Sequence, residues 1–289
     1  MNSTLRKISE TIIQRLIDAQ EGNLLAPFEC PWDGDPMPIN CTTDIHYQGM
    51  NIFVLWGAAM DKGYTTNKWC KPKQLTKYAR DNKLKLDWKG EKCTTGIRWL
   101  PYEHKTRKSE EPSKTLIPRP FWVLNMDQVK GFPKDPPPTD HGRIDNLPAQ
   151  KFIDAVGAEI KHGESRAYFS PSKDIIMLPE PNSFPELGDY HATAFHELGH
   201  WTGHAQRLDR NQKGKMGDPD YAFEEIIAEM TSAFFAAKFN LKGRLQHTEY
   251  VGSYIKCLQQ DLNLVRKAST SAGNAYDYLT SLTKGATTK

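Results

Sequence analysis

The chain has 289 residues, a formal net charge of +3 from 38 Lys and Arg against 35 Asp and Glu, and a mean hydropathy of −0.65. That length suits two modest domains, each able to close its own core. No apolar run is long enough to span a bilayer and Met1 to Ile8 holds no apolar leader, so the expectation is a soluble cytoplasmic protein with no membrane partner.

Leu5, Ile8, Ile12, Leu16 and Ile17 recur at helical spacing and predict an amphipathic first helix packed on its own domain. Gly22 and a run with Pro27, Pro31, Pro36 and Pro38, carrying Phe28 and Trp32, read as extended chain. A helix follows from Ile52 through Met60 and closes at Gly63. Thr65 to Lys71 reads as a strand, Lys73 to Asn82 as a short helix, and Lys83-Leu84-Lys85-Leu86 as an alternating strand before a turn at Lys89-Gly90-Glu91. Thr95 to Tyr102 and Arg119 to Asn125 are two further strands, separated by a polar loop from His104 to Lys114. Residues 127–150, with Pro136-Pro137-Pro138, form a semi-rigid linker between a first domain at 1–126 and a second at 151–289. A helix starts at Asn146, strands are expected at 159–162, 166–169 and 174–179, and helices run from Tyr190, from Phe223 and from Tyr250 to Leu279. The final residues, from Thr283, are expected to fray. The fold class is α+β, a small sheet with helices on it followed by a second α+β unit.

Between Lys62 and Lys108 the chain has fourteen Lys or Arg against four Asp or Glu, interleaved with Tyr64, Trp69, Tyr78, Trp88, Trp99 and Tyr102. Cations that track phosphates beside aromatic faces for unpaired bases make a single-strand-binding surface. A solvated basic face over a Trp-rich core is the equally plain structural alternative. Cys30, Cys41, Cys70, Cys93 and Cys257 are odd in number and contain no C-x-x-C pair, which argues against a disulfide framework or a cysteine zinc knuckle and for a reducing cytosol.

The chemistry concentrates at His196-Glu197-Leu198-Gly199-His200. Two histidines four apart share one helix face and can reach one cation, and the intervening Glu197 is placed to take a proton from a water in the cleft. Twenty-five residues on, a helix carries Glu224, Glu225 and Glu229 among apolar residues, carboxylates that are expensive to bury without a cation or donors. Glu225 and Glu229 share a face; either can be the third ligand while the other orients a ligand histidine from behind. His204 lies one turn further, as a competing ligand or a rim residue. Gln206 stands where a metzincin needs its third histidine, which argues against that family. A helical core with charged edges is the bland reading of the whole set.

Taken together these residues resemble the ArdC family of plasmid antirestriction proteins, nearly end to end. The resemblance is carried by Tyr47-x-Gly49-x-Asn51, Trp69-x-x-x-x-Gln74, Lys89-Gly90-Glu91-Lys92, Asn125-Met126-Asp127-Gln128-Val129 and Arg166-Ala167-Tyr168-Phe169-Ser170-Pro171 followed by Asp174. The stretch from His196 to His204 and the Glu224-Glu225-x-x-Ala228-Glu229 helix complete it. That family's N-terminal domain is shared with plasmid primases of the TraC type. The resemblance implies a single-stranded-DNA-binding domain joined to a zincin-like metallopeptidase domain, which protects incoming conjugative plasmid DNA from type I restriction. On it, His196, His200 and Glu225 hold one divalent metal, Zn²⁺ by default with Mn²⁺ or another ion open; Glu197 is the catalytic base and Glu229 the alternative ligand or outer carboxylate. Tyr168 or His204 is a candidate oxyanion donor. Candidate DNA contacts are Tyr47, Asn51, Lys68, Trp69, Lys71, Lys73, Trp88, Lys89 and Lys92. The partners implied are single-stranded DNA and an unidentified protein substrate, for which the host restriction system is one candidate source. The alternative is a non-catalytic metalloprotein that occludes DNA or the restriction complex. A nuclease or primase accessory is disfavoured by the lack of a paired carboxylate cluster for two-metal chemistry.

Overall fold

A computed structural model describes residues 3–20, 37–104, 113–134, 147–214, 218–239, 241, 255, 257–259 and 261–284. These residues form an α+β fold with two sheets among them. The first unit opens with α1 (Ser3–Gln20), two-residue strands β1 (Ile39–Asn40) and β2 (Ile45–His46), and α2 (Met50–Lys62). Then come β3 (Lys68–Cys70), α3 (Pro72–Asp81), and the long hairpin of β4 (Thr94–His104) and β5 (Ser113–Asn125). The sheet order is β2-β1-β3-β5-β4, with β1 parallel to β3 and the other pairs antiparallel.

Local chemistry accounts for these ends. Gly63 closes α2 in the left-handed region at φ 66°, and Pro72 starts α3 at a position whose N–H would be unpaired in any case. Asn51 supplies what a neighbouring strand would: its amide donates to the Ile97 carbonyl (2.8 Å) and accepts from the Ile97 N–H (2.8 Å) on the free edge of β4. Pro120 is the cross-strand partner of Ile97, so its missing N–H falls where β4 asks for none.

The second unit comprises α4 (Leu147–Val156), β6 (Glu159–His162), β7 (Tyr168–Ser170), β8 (Ile175–Leu178), α5 (Leu187–Thr202), α6 (Pro219–Lys238) and α7 (Asn263–Thr283). Its sheet is ordered β6-β8-β7, so β7 is an edge strand, antiparallel to β8. Helix α6 is apolar almost all round, the signature of a helix walled in on every side. Its Ile226, Ile227, Met230 and Phe234 join the first unit's cluster with Phe53, Trp56 and Trp69, and the rings of Phe53 and Phe234 stack at 5.2 Å. Its Phe235 joins Phe152, Phe195 and Leu198 in the second. The two units therefore do not have separate cores, as their length alone would allow; α6 and α7 serve both.

Other departures from the sequence reading have local causes. Lys83–Leu86 is not a strand: Lys83 sits at φ 55°, the Leu84 N–H returns to the Ala79 carbonyl, and only Asp87 pairs, with Lys130. Its alternation instead tucks Leu86 against Leu75 and Leu124. The β4–β5 hairpin is longer at both ends than its apolar run. Of the expected linker, Met126–Gln128 is a capped turn held by Asn125 and Gln128, and Val129 is buried. Residues 135–146, the proline-rich run before residue 37, much of 242–260 and the expected frayed end from 285 lie outside the described residues. Among the described residues no helix is long and apolar enough to cross a membrane, and Cys41, Cys70, Cys93 and Cys257 are free thiols.

Candidate metal centre

Helix spacing builds the centre. On α5, His196 and His200 project from successive turns of one face, and their Nε2 atoms converge to 3.2 Å with the rings crossed at 78°. α6 lies against this face because small residues meet there. A Cβ on Gly199 would come within 3.0 Å of the Ala228 Cα, so the absence of a side chain at 199 sets how near the helices approach. That contact delivers Glu225, whose two oxygens each lie 3.4 Å from one histidine Nε2. These three residues form the one group of three or more metal-capable side chains among the described residues, with donor atoms within 4.8 Å of one another.

The donor set fits a divalent cation. Two bonds of about 2.0–2.1 Å at the tetrahedral angle span about 3.4 Å, the separation seen between the donors. Both histidines are also braced from behind. Glu229 Oε1 lies 3.5 Å from His196 Nδ1, is buried, and has no hydrogen-bond partner among the described residues. Glu224 Oε1 lies 3.4 Å from His200 Nδ1. Glu225 thus faces both Nε2 atoms, whereas Glu229 stands on the far side of the His196 ring.

Glu224 is anchored in turn. Arg210 donates to both of its oxygens, Nη2 to Oε1 at 2.7 Å and Nε to Oε2 at 2.9 Å, and Gln212 Nε2 adds a bond at 3.1 Å. The same arginine donates to the Gly199 carbonyl (2.7 Å) and Thr202 Oγ1 (2.8 Å), and Gln212 to the His200 carbonyl (2.7 Å), satisfying the open carbonyls where α5 ends. Sequence reasoning noted Glu224 without giving it a task and missed Arg210 and Gln212 entirely. They sit in a loop with no periodicity, and only the fold brings them to α6.

Electrostatics follow from burial and pairing. In the metal-free protein, burial disfavours charge on both imidazoles, yet Glu229 and Glu225 hold His196, and Glu224 and Glu225 hold His200, above the ordinary histidine value. Burial would raise the Glu225 carboxyl, but its hydrogen bonds with the two histidines keep it far below the usual range. Glu224 is likewise lowered against its burial by His200 and Arg210. Glu197 goes the other way: only 4% exposed, it is pushed up by burial, toward the state of a base that retains a captured proton.

The centre opens into a cleft of about 1230 Å³ whose walls include Glu197, Tyr168, Phe169, Phe184 and Tyr221. Edge strand β7 runs along it. Tyr168, 38% exposed, donates its hydroxyl to Glu164 (3.1 Å). His204 packs edge-on to Phe169 and accepts from the Gln206 N–H, outside the three-residue group.

The expected DNA contacts are placed less uniformly. Tyr47 stacks on Phe121 at 6.1 Å, and the Lys71 ammonium lies 5.3 Å from the centre of the Phe121 ring. Lys73, Lys89 and Lys92 are exposed, Lys68 is half-buried in β3, and Trp88 is half-buried against Leu75 and Leu124. Trp69 is a correction. It is fully buried between α2 and the sheet, where no base can reach it. Asn51 is likewise engaged with the Ile97 backbone.

Comparison with known proteins agrees with both halves. Residues 6–126 match the model of the N-terminal domain of anti-restriction factor ArdC, and residues 148–271 that of a zincin-like metallopeptidase. The crystal structure of the antirestriction ArdC protein from plasmid R388, metal-free, superposes with a TM-score of 0.80 at 29% identity, covering 98% of this chain and 99% of that one. The uncharacterized protein y4eC of Sinorhizobium fredii (strain NBRC 101917 / NGR234) is 31% identical over 94% of this chain and 91% of its own. The chain belongs to the ArdC family. The Mn(II)-bound form of R388 ArdC superposes with a TM-score of 0.75 at 28% identity, covering 98% and 99%. This ArdC-family chain is also 32% identical, over 96% of its length, to the Escherichia coli DNA primase TraC, of which it spans 27%.

Proposed function

We propose that this protein is an antirestriction factor that binds single-stranded DNA through residues 1–126 and carries a metal-dependent peptidase centre in residues 151–289, the two joined across residues 127–150. In this reading it acts in the cytoplasm, where it protects incoming conjugative plasmid DNA from type I restriction. The observation that carries the peptidase part is the convergence of His196, His200 and Glu225 beside a buried Glu197, at the floor of a cleft lined by an edge strand.

His196, His200 and Glu225 would hold the ion, with Glu229 and Glu224 fixing the two rings from behind. The ion, zinc by default and manganese equally compatible with nitrogen and oxygen donors, supplies the Lewis acidity that polarises a carbonyl and acidifies water. Glu197 takes the water's proton on a carboxylate oxygen and returns it to the departing amine. Burial pushes the Glu197 carboxyl up, the direction that favours taking the proton. β7 offers its free backbone edge to an extended segment of the protein substrate, and burial of the cleft floor excludes bulk water from the charges there.

The test is Glu197→Gln. Metal content and DNA binding should match the parent while cleavage of the protein substrate, and antirestriction with it, is lost. Cleavage that persists in this variant would reject the role of Glu197. Full antirestriction without cleavage would replace the peptidase reading with that of a metalloprotein which covers the DNA.

A further inference from the structure

Beyond the contacts read from the sequence, the β4–β5 ribbon carries a feature with no structural benefit. Arg98 and Arg119 are direct cross-strand partners, both exposed, and neither has an ion pair among the described residues. Like charges placed opposite one another destabilise a strand pair, so two arginines there call for an anion from outside. Alternation fixes which face they occupy. Ile97 is buried and Trp99 lies under Arg266 of α7, so at these two positions that face of β4 is covered. Arg98, Leu100 and Tyr102 turn to solvent, with Tyr102 51% exposed. The register puts Phe121 on the same face as Arg119, but there the face is closed: Phe121 is buried against Tyr47, with the Lys71 ammonium 5.3 Å from its ring, and marks where the exposed stretch ends.

We propose that this face is a track for single-stranded nucleic acid, running from Lys71 and Tyr47 across the Arg98–Arg119 pair to Tyr102, the arginines gripping phosphates and Tyr102 stacking a base. The proposal rests on the reading of the N-terminal unit as single-strand-binding and names the surface that does it. Two exposed arginines beside an exposed tyrosine, with the half-buried Tyr47 and Lys71 at the other end, suit a flexible strand with unstacked bases. Trp122, 55% exposed, follows Phe121 and so belongs to the opposite face of the ribbon; it is an internal control.

The experiment measures anisotropy of a dye-labelled oligothymidylate of roughly 20 nucleotides, and of a duplex of equal length, across a KCl series with the full chain. Wild type should prefer the single strand. Replacing Arg98 and Arg119 together with alanine should lower the slope of log affinity against log salt by about 1.4, since each single-strand phosphate contact contributes about 0.7. The same variant should unfold at no lower temperature than wild type, because a repulsion has been removed. Tyr102→Ala should weaken binding about tenfold with the salt slope unchanged, the loss expected for one stacked base, and Tyr102→Phe should restore it. Trp122→Ala should bind as wild type. An unchanged slope in the double arginine variant, a larger loss from Trp122→Ala than from Tyr102→Ala, or preference for duplex each overturns the proposal. Failure of the wild-type chain to bind oligothymidylate at all instead removes the single-strand reading beneath it.

Discussion

Arg210 is the residue on which the centre's rigidity should depend most, although it touches no proposed ligand. Its side chain is 10% exposed and Glu224's 7%, so their ion pair is screened little by solvent. Removing one partner of such a pair leaves a buried charge uncompensated, at about 3–5 kcal/mol. Arg210→Met should therefore lower the unfolding free energy of the metal-free protein by about that amount. The Gly199 carbonyl and Thr202 hydroxyl lose a donor in the same change. Adding Glu224→Gln to Arg210→Met removes both charges, so the double variant should be more stable than the arginine variant alone. Because Glu224 braces His200, metal affinity should fall about 10- to 100-fold in either single variant. Urea unfolding with and without chelator, together with competition against a chelator of known affinity, reads both quantities. Strictly additive effects of the two substitutions would refute the coupling, and so would unaltered metal affinity in Arg210→Met.

The pH dependence of that pair has a defined sign. The folded-state value of Glu224 is depressed, so its contribution is present above the unfolded carboxylate range near pH 4.3 and is lost as pH falls through the folded value. Glu224→Gln should flatten the acid limb of stability. The two histidines behave oppositely. Both are raised, so in the metal-free protein their contribution is complete below about pH 6.5 and is lost as pH rises through the folded values. Metal must then displace protons at neutral pH, and calorimetry in buffers of different ionisation enthalpy should detect their release. At Gly199, alanine gains about 1 kcal/mol in helix propensity but places its Cβ 3.0 Å from the Ala228 backbone. The net should be a loss of roughly 1–2 kcal/mol with weakened metal binding, and a more stable Gly199→Ala protein would show that α5 and α6 do not close on that contact. Asn51→Leu should cost about 2 kcal/mol by stripping two partners from the Ile97 backbone, measured by denaturant unfolding.

How much of this was legible beforehand follows from what each feature depends on. The two histidines and Glu225 were readable because helix periodicity puts i and i+4 on one face, and a helix as apolar as α6 that still carries three glutamates advertises compensation inside. Which of Glu225 and Glu229 faces the Nε2 atoms was not readable. That depends on the rotation of α6 against α5, set by Gly199 and Ala228. Strands β1 and β2 are two residues long and leave no alternation to detect. Composition likewise named the basic, aromatic region but could not sort its tryptophans. Trp69 and Trp122 have the same chemistry, and only sheet register decides that the first fills the core and the second meets solvent.

Helix α6 gives the two units a physical link that a linker would not. One side carries Glu224, Glu225 and Glu229 toward the histidines, and the other carries Ile226, Ile227, Met230 and Phe234 into the packing around Trp56 and Trp69. Trp69 lies on β3, which pairs with β5, the strand that carries Arg119. A shift of β5 on DNA binding has a direct route to the metal centre through this packed layer, and close-packed layers transmit displacement because they have no slack. Thermodynamic linkage then requires reciprocity: whatever factor DNA changes in metal affinity, metal must change in DNA affinity. Phe234→Ala opens a cavity at the middle of that layer and should cost about 3–5 kcal/mol of stability. If the layer carries the coupling, it should also bring the DNA affinities of the metal-loaded and chelated proteins together. Equal DNA affinities with and without metal in the parent chain would show that α6 joins the two units in packing alone.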